Sequence, residues 1–288
     1  MKHCGAQCSV SSTPVECGVR EACVHEKVSV RLLPYIPFIV PELAIGWVPM
    51  DNLTISGFRV DYRQLGASYV NRIPALRSLD ELEFGSPVVF LTGENGSGKS
   101  TLLEAIAVVC GFSAEGGSRN YRFSTYDDCS DLADALILYR KRAIPPSSFF
   151  LRAESFFTMA TQARDYDRGR SAMSALHEMS HGEGFLEIML SRNAPGLYLM
   201  DEPESALSAG RQLALLAHMH RLAEQGAQFI VATHSPILLG LPGAQILQFD
   251  DDGVRPCDYE DTGAHRITAS FINHRDVLLR HLFADEGR

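Results

Sequence analysis

Short apolar runs and longer stretches with apolar residues every three to four positions take turns along the chain, the pattern of strands and helices laid side by side. Pro87-Val88-Val89-Phe90-Leu91-Thr92, Ser148-Phe149-Phe150-Leu151-Arg152, Leu197-Tyr198-Leu199-Met200 and Gln228-Phe229-Ile230-Val231-Ala232-Thr233 are unbroken apolar runs, as expected of strands buried on both faces. Leu53, Ile55, Phe58 and Val60 predict a strand before them, with Gly57 as a bulge or turn, and 246–249 and 253–257 predict closing strands. Helical spacing is predicted at 101–110, 132–142, 155–164, 185–190 and 207–224, with one or two terminal helices over 266–283. The 132–142 prediction rests on Leu132, Leu136 and Leu138 with a basic end, stopped by Pro145-Pro146. Residues 113–130 are polar, aromatic and glycine-containing, and predict a loop or short strands. Residues 1–30 lack periodicity and read as a tail, and 31–50 read as extended and proline-punctuated.

Between the 87–92 run and the 101–110 helix lies Gly93-Glu94-Asn95-Gly96-Ser97-Gly98-Lys99-Ser100-Thr101, which fits G-x-x-x-x-G-K-[ST] at every fixed position. Each position has a task in holding a triphosphate. Gly93 and Gly98 let the backbone wrap so that successive N–H groups point inward, and the helix start adds the positive end of its dipole. Lys99 is placed to reach the β and γ phosphates, Ser100 to offer its hydroxyl to Mg²⁺, and Thr101 to touch the α phosphate. A chance match is disfavoured by composition, since Lys2, Lys27, Lys99 and Lys141 are the chain's lysines and one of them falls on the motif. Tyr62 and Tyr69 precede the loop, where an aromatic to stack on a base could come from; as ordinary half-buried tyrosines they would leave the base contact unassigned.

Three further anchors follow. Ser180-His181-Gly182-Glu183-Gly184 precedes an apolar helical run, so a serine and glycines stand at a helix start, either as a second phosphate-friendly corner or as a plain cap. The run at 197–200 ends in Asp201-Glu202-Pro203-Glu204, two consecutive carboxylates at a strand's C-terminal edge. There Asp201 can hold a metal or its waters and Glu202 can orient and deprotonate a water. The run at 228–233 ends in His234, at the edge where parallel strands meet ligand.

A chain of 288 residues, 45% hydrophobic and 21% charged, can bury a large globular core. The formal net charge of −9 argues against a basic coat, while leaving room for a local groove such as one with Arg266, Arg275, Arg280 and His281. Cys4, Cys8, Cys17 and Cys23, with His3 and His25, lack paired C-x₂-C metal spacing, and Glu16, Arg20 and Glu21 interrupt any signal-peptide core. Cys110, Cys129 and Cys257 are scattered, as expected of reduced thiols in the cytoplasm. The apolar stretch 32–50 is broken by Pro34, Pro37, Pro41, Pro49 and Glu42, so no membrane span is expected.

Taken in order, the anchors resemble the ABC-type P-loop ATPases over about residues 52–250, with Gly93 to Ser100 similar to the Walker A loop, Ser180 to Glu183 to the signature motif, Tyr198 to Glu202 to the Walker B strand and its catalytic glutamate, and His234 to the switch histidine. Phe150-Leu151-Arg152-Ala153-Glu154-Ser155 and Asp201-Glu202-Pro203-Glu204 are similar to small free-standing bacterial ATPases of the RecF/SMC-like branch. The resemblance implies an α/β P-loop NTPase fold, with a mostly parallel central sheet flanked by helices, an antiparallel N-terminal β part and a small helical insertion. It divides the chain into a poorly structured extension at 1–50, an ATPase domain at 51–260 with the insertion at about 113–180, and C-terminal helices at 261–288. It implies a cytoplasmic, Mg²⁺-dependent ATP hydrolase working as a head-to-tail homodimer, with Ser180 and Gly182 acting in trans. Lys99, Glu202 and His234 would be the catalytic groups, Ser100 and Asp201 the metal ligands, and Glu154 would stand where the family's Q-loop glutamine is missing. His181 replaces the usual signature glycine, and Ser208 stands where the D-loop aspartate is common. About 80 residues between Lys99 and Ser180, without sustained heptads, exclude the long coiled coil of a true SMC protein. A transporter motor with a membrane permease partner and a nucleotide-dependent DNA switch are the alternative readings.

Overall fold

The computed structural model describes residues 53–119, 131–153 and 181–284, the side chains of 181–185 excepted. Expectations placed on residues 1–50, on Cys129, on the helix at 155–164, on Glu154 and on Ser180 lie outside the described residues. The strands are β1 (Ile55–Val60), β2 (Glu81–Glu83), β3 (Val88–Gly93), β4 (Gly117–Ser118), β5 (Leu136–Arg140), β6 (Phe149–Arg152), β7 (Leu197–Asp201), β8 (Gln228–Ala232), β9 (Gln245–Asp250) and β10 (Gly253–Pro256). The helices are α1 (Tyr62–Leu65), α2 (Pro74–Arg77), α3 (Lys99–Val109), α4 (Leu132–Ala135), α5 (His181–Ser191), α6 (Ala209–Glu224), α7 (Pro236–Leu239) and α8 (Gly263–Ala284).

Seven strands form the central sheet in the order β10-β9-β3-β8-β7-β6-β4. The inner five pair in parallel, and the edge strands β10 and β4 run antiparallel to them. The unbroken apolar runs are explained by two covered faces. Val89, Leu91, Leu199, Ile230 and Ala232 point to a core shared with Leu102, Leu103 and Ile106 of α3 and with Ile55 and Phe58 of β1. Phe90, Tyr198, Met200, Phe229 and Val231 point to the other core, against Leu215, Met219 and Leu222 of α6 and Leu238 and Leu239 of α7. Tyr198 and Phe229 stack there with ring centroids 5.0 Å apart.

The N-terminal antiparallel part is a separate three-stranded sheet in the order β2-β1-β5. Its register against β5 shifts between Ile55 and Gly57, leaving Ser56 as the extra residue, so a bulge falls immediately before Gly57, where the sequence predicts a bulge or turn. Here one sequence expectation is corrected. Residues 132–142 do not form one helix: a single turn, α4, gives way at Leu136 to strand β5, which pairs antiparallel with β1. Leu-Ile-Leu-Tyr satisfies either period over so short a run, and the open edge of β1 decides it by offering backbone partners. Within the expected insertion at about 113–180, the described residues hold β4, α4, β5 and β6. The terminal helical stretch is one element with non-helical backbone at His274, hence two helices in effect. Among the described residues no helix is long and apolar enough to cross a membrane.

Candidate nucleotide-binding site

Parallel pairing brings the C-terminal ends of β3, β6, β7 and β8 to one edge of the sheet. Leu91 and Asp201 both stand in register with Ala232, and Arg152 with Asp201. The residues just beyond these positions are Gly93 onward, Glu202 and His234, so three of the anchors converge through strand register. They line a cavity of about 830 Å³, walled on one side by Glu94, Asn95, Gly96, Gly98, Lys99, Ser100 and Thr101 and on the other by Glu202, Glu204 and His234, with Ile73 at its rim.

The glycine-rich loop is shaped by close approaches. At Gly93 a Cβ would lie 2.3 Å from the Phe249 carbonyl oxygen of β9, and at Gly98, with φ of 99°, it would lie 2.9 Å from side-chain carbons of Ile73 and Leu76. Gly98 leads directly into α3 without a side-chain cap, so the first N–H groups of that helix face the cavity end. Lys99 is 4% exposed and its Nζ donates to the Gly93 carbonyl at 2.9 Å and the Glu94 carbonyl at 2.8 Å, with Ser97 Oγ at 3.4 Å. Burial pulls its ammonium below the ordinary lysine range, while Glu202, Asp201, Glu94 and Glu204 pull the other way.

At the next position of α3, Ser100 Oγ donates to Asp201 Oδ1 at 2.8 Å. A hydroxyl and a carboxylate in contact beside a phosphate-shaped loop form an all-oxygen donor set, which suits a hard cation such as Mg²⁺ completed by phosphate and water oxygens. Among the described residues no group of three or more His, Cys, Asp or Glu could hold a metal alone. Asp201 is itself held from behind. Arg152 Nε lies 3.6 Å from Asp201 Oδ2, and Arg152 Nη1 lies 2.7 Å from Glu104 Oε2, one turn beyond Ser100 on α3. No motif in the sequence assigns Arg152 a role. A lone cation ending a buried apolar run next to the Asp201 strand was the available signal.

Glu202 adopts left-handed backbone (φ 48°, ψ 52°), the one non-glycine residue among those described with positive φ. Such a conformation costs on the order of 1–3 kcal/mol and persists where its surroundings impose it. Here Glu202 N donates to the Ala232 carbonyl at 2.9 Å, and its own carbonyl accepts from Ser205 N at 3.1 Å. The turn leaves Glu202 Oε1 3.9 Å from His234 Nε2, beyond hydrogen-bond reach. Glu204 Oε1 accepts from the His234 backbone N–H at 2.6 Å. Nothing in the sequence displays this contact, although Glu204 lies in the acidic run Asp201-Glu202-Pro203-Glu204.

Gly182 lies in the first turn of α5, whereas Ser180 is outside the described residues. Neither tyrosine considered for base stacking lines the cavity. The Tyr62 hydroxyl donates to the Leu76 and Leu79 carbonyls, tying down the α2 region, and Tyr69 is exposed on the turn before Ile73. Arg266, Arg275, Arg280 and His281 are exposed on α8 but interleaved with exposed Ile267, Phe271, Ile272 and Val277, and Arg275 lies 3.5 Å from Asp276.

A family model described as "AAA domain" matches residues 69–134, covering the loop and α3. A second, described as "AAA domain, putative AbiEii toxin, Type IV TA system", matches residues 175–240, covering α5 to α7. No curated protein matches the chain. Among solved structures, the SMC head domain from Thermotoga maritima is 13% identical with a TM-score of 0.39, over 72% of this chain and 100% of that one. A nucleotide-free ATP-binding cassette from an ABC transporter is 16% identical with a TM-score of 0.40, over 70% of this chain and 90% of the other. Both likenesses are distant.

Proposed function

We propose that the chain is a P-loop ATPase of the ABC/SMC-like kind and that it hydrolyses ATP to ADP and phosphate in a nucleotide-sandwiched homodimer, a reading supported by the AAA-domain models matched at residues 69–134 and 175–240. The observation that carries the reading is the contact of Ser100 with Asp201 at the mouth of the glycine loop, with Glu202 and His234 across the same cavity. Lys99 would exchange its bonds to the loop carbonyls for the β and γ phosphate oxygens. Ser100 and Asp201 would hold Mg²⁺, with Glu154 as a further candidate ligand. When bound, that ion neutralises charge on the bridging and terminal phosphate oxygens. Glu202 would take the proton of a water as its oxygen attacks the γ phosphorus. The bond to the β–γ bridging oxygen breaks, and its electron pair leaves on ADP. Lys99 and His234 stabilise the charge that develops on the transferred group.

In this reading Ser180 and Gly182 of a second copy close the far side of the γ phosphate, so ATP is both substrate and glue. Cytoplasmic ATP and Mg²⁺ would supply the reaction. The test is Glu202→Gln. It is expected to bind ATP, to stop releasing phosphate, and to elute as a dimer with ATP and as a monomer without it. A monomer at saturating ATP, or undiminished turnover, refutes the proposal.

A further inference from the structure

Two buried atoms at the cavity lack a hydrogen-bond partner among the described residues, His234 Nε2 and Glu204 Oε2. They belong to residues already joined by another bond, from the His234 backbone N–H to Glu204 Oε1 at 2.6 Å. That distance is short for N–H···O, in the direction expected when the acceptor is an ionised carboxylate.

The main chain around His234 is held from three directions. Thr233 N donates to the Leu91 carbonyl of β3 at 3.0 Å, fixing the chain to the glycine-loop strand. Ser235 Oγ donates to Gln212 Oε1 of α6 at 2.6 Å and accepts from the first N–H groups of α7. The third hold is Glu204, the one of these whose side chain also lines the cavity. Its position follows from the left-handed turn at Glu202 and from Pro203: the two glutamates flanking the proline face the same cavity, Glu202 toward the imidazole of His234 and Glu204 toward its backbone.

We propose that Glu204 is the positioning residue of His234, a clasp from the acidic turn to the end of β8 that sets where the imidazole stands relative to Glu202. The proposal rests on the reading of this cavity as an ATP-hydrolysing site. The 3.9 Å between Glu202 Oε1 and His234 Nε2 is too long for a direct bond and short enough for a small shift or one water to close. A side chain whose work depends on so narrow a gap needs its backbone fixed. Without the clasp, the His234 N–H loses its acceptor, and the imidazole is free to leave the γ phosphate end of the cavity.

The experiment compares Glu204→Ala, Glu204→Asp and Glu204→Gln in the full chain. Glu204→Ala removes the acceptor, Glu204→Asp withdraws it by one methylene while keeping the charge, and Glu204→Gln keeps an oxygen in place without the charge. Misplacing a reacting group by about 1 Å costs up to roughly a hundredfold in rate. Accordingly E204A and E204D are expected to lose at least about tenfold in kcat with KM for ATP within about twofold, and E204Q to recover most of that loss. Chain labelled with ¹⁵N-histidine gives a second readout. The His234 amide, identified by its loss in His234→Gln, is expected well downfield in the wild type and E204Q, and moved upfield in E204A and E204D. Unchanged kcat in E204A and E204D overturns the proposal. So does an E204Q as impaired as E204A with its amide still downfield, because the charge rather than the hold would then matter. Should E204A not fold, E204D carries the test. If the wild type hydrolyses no ATP, the functional reading fails, and the amide shifts still decide the clasp: an unmoved resonance in E204A and E204D refutes it.

Discussion

Gln228 begins β8 at the edge of the central sheet remote from the cavity, 1% exposed, and its amide serves three backbone groups at once. Oε1 accepts from Thr54 N and Ile55 N, both at 2.9 Å, and Nε2 donates to the Ile55 carbonyl at 2.7 Å. These bonds staple the start of β1, and with it the three-stranded sheet, to the base of the central one. Gln228→Met keeps the length and volume of the side chain and removes all three bonds. It leaves two buried N–H groups and one carbonyl unpaired, at about 1–3 kcal/mol for each unsatisfied donor and less for a carbonyl, so roughly 3–7 kcal/mol in total. That is a large share of a typical folding stability of about 5–15 kcal/mol. With a urea slope of about 3 kcal/mol per molar, the unfolding midpoint should fall by about 1–2 M. The assay is equilibrium urea unfolding followed by circular dichroism, paired with hydrogen exchange of the peptide spanning β1. Exchange there should accelerate, while nucleotide affinity of the folded protein stays put, because the staple is at the opposite end of the strands from the glycine loop. A midpoint shift below about 0.3 M with an unchanged slope would refute the argument, since it would mean that water satisfies the same groups at no cost.

Arg152→Gln should lower stability by about 1–3 kcal/mol and weaken the Mg²⁺-dependent part of nucleotide binding more than the Mg²⁺-independent part. It leaves the carboxylates of Glu104 and Asp201, 14% and 9% exposed, without the cation between them. Arg152→Lys should rescue only part, because a point charge cannot fork to two carboxylates; equal melting temperatures for wild type and R152Q would sink the idea. His218 is held neutral, its Nδ1 accepting from Arg221 Nη2 at 2.9 Å and its Nε2 donating to the Arg192 carbonyl at 3.0 Å. Burial first, then Arg221, pulls its pKa below 6.5, so as pH falls through about 6.5 the unfolded chain takes up the proton first and stability drops. Melting curves stepped from pH 7.5 to 5 should therefore fall more steeply for the wild type than for His218→Gln, and parallel slopes would contradict the assignment.

What could be read from the sequence was local. The glycine loop, the 197–201 strand with its paired carboxylates, the strand leading to His234, the closing strands and the helical character of the terminal stretch each carry their pattern locally, and the structure places them accordingly, while the break at His274 settles the terminal stretch as two helices rather than one. What could not be read depends on partners far along the chain. Leu136–Arg140 has the spacing of either element, and only the free edge of β1, some 80 residues earlier, makes it a strand. The Arg152 contacts join residues 104, 152 and 201, and the Glu204 contact joins 204 and 234, so no window of sequence displays either. Sequence pattern finds strands and turns because their causes are near neighbours; it misses side-chain ties between strands because their cause is register.

Register also explains why the candidate site divides into two halves. Ser100, Asp201, Arg152 and Glu104 form one chain of contacts running from α3 across β7 to β6, and Glu202, His234 and Glu204 form another between the ends of β7 and β8. The alternation of strand residues between two faces means that a one-residue slip of β7 against β8 would send Asp201 to the wrong side and separate Glu204 from His234 together. Lys99 stands between the halves, bonded to its own loop rather than to either carboxylate group. A ligand that draws the ammonium away from Gly93 and Glu94 must offer it oxygens at least as good, and a triphosphate does so while also supplying the oxygens that a cation at Ser100 and Asp201 would require. The loop is thus kept open at the cost of bonds that ATP can replace. A lone phosphate too short to reach both the lysine and the Ser100–Asp201 pair should bind far more weakly than the nucleotide, a comparison that isothermal titration with inorganic phosphate, ADP and ATP in the presence of Mg²⁺ would make directly.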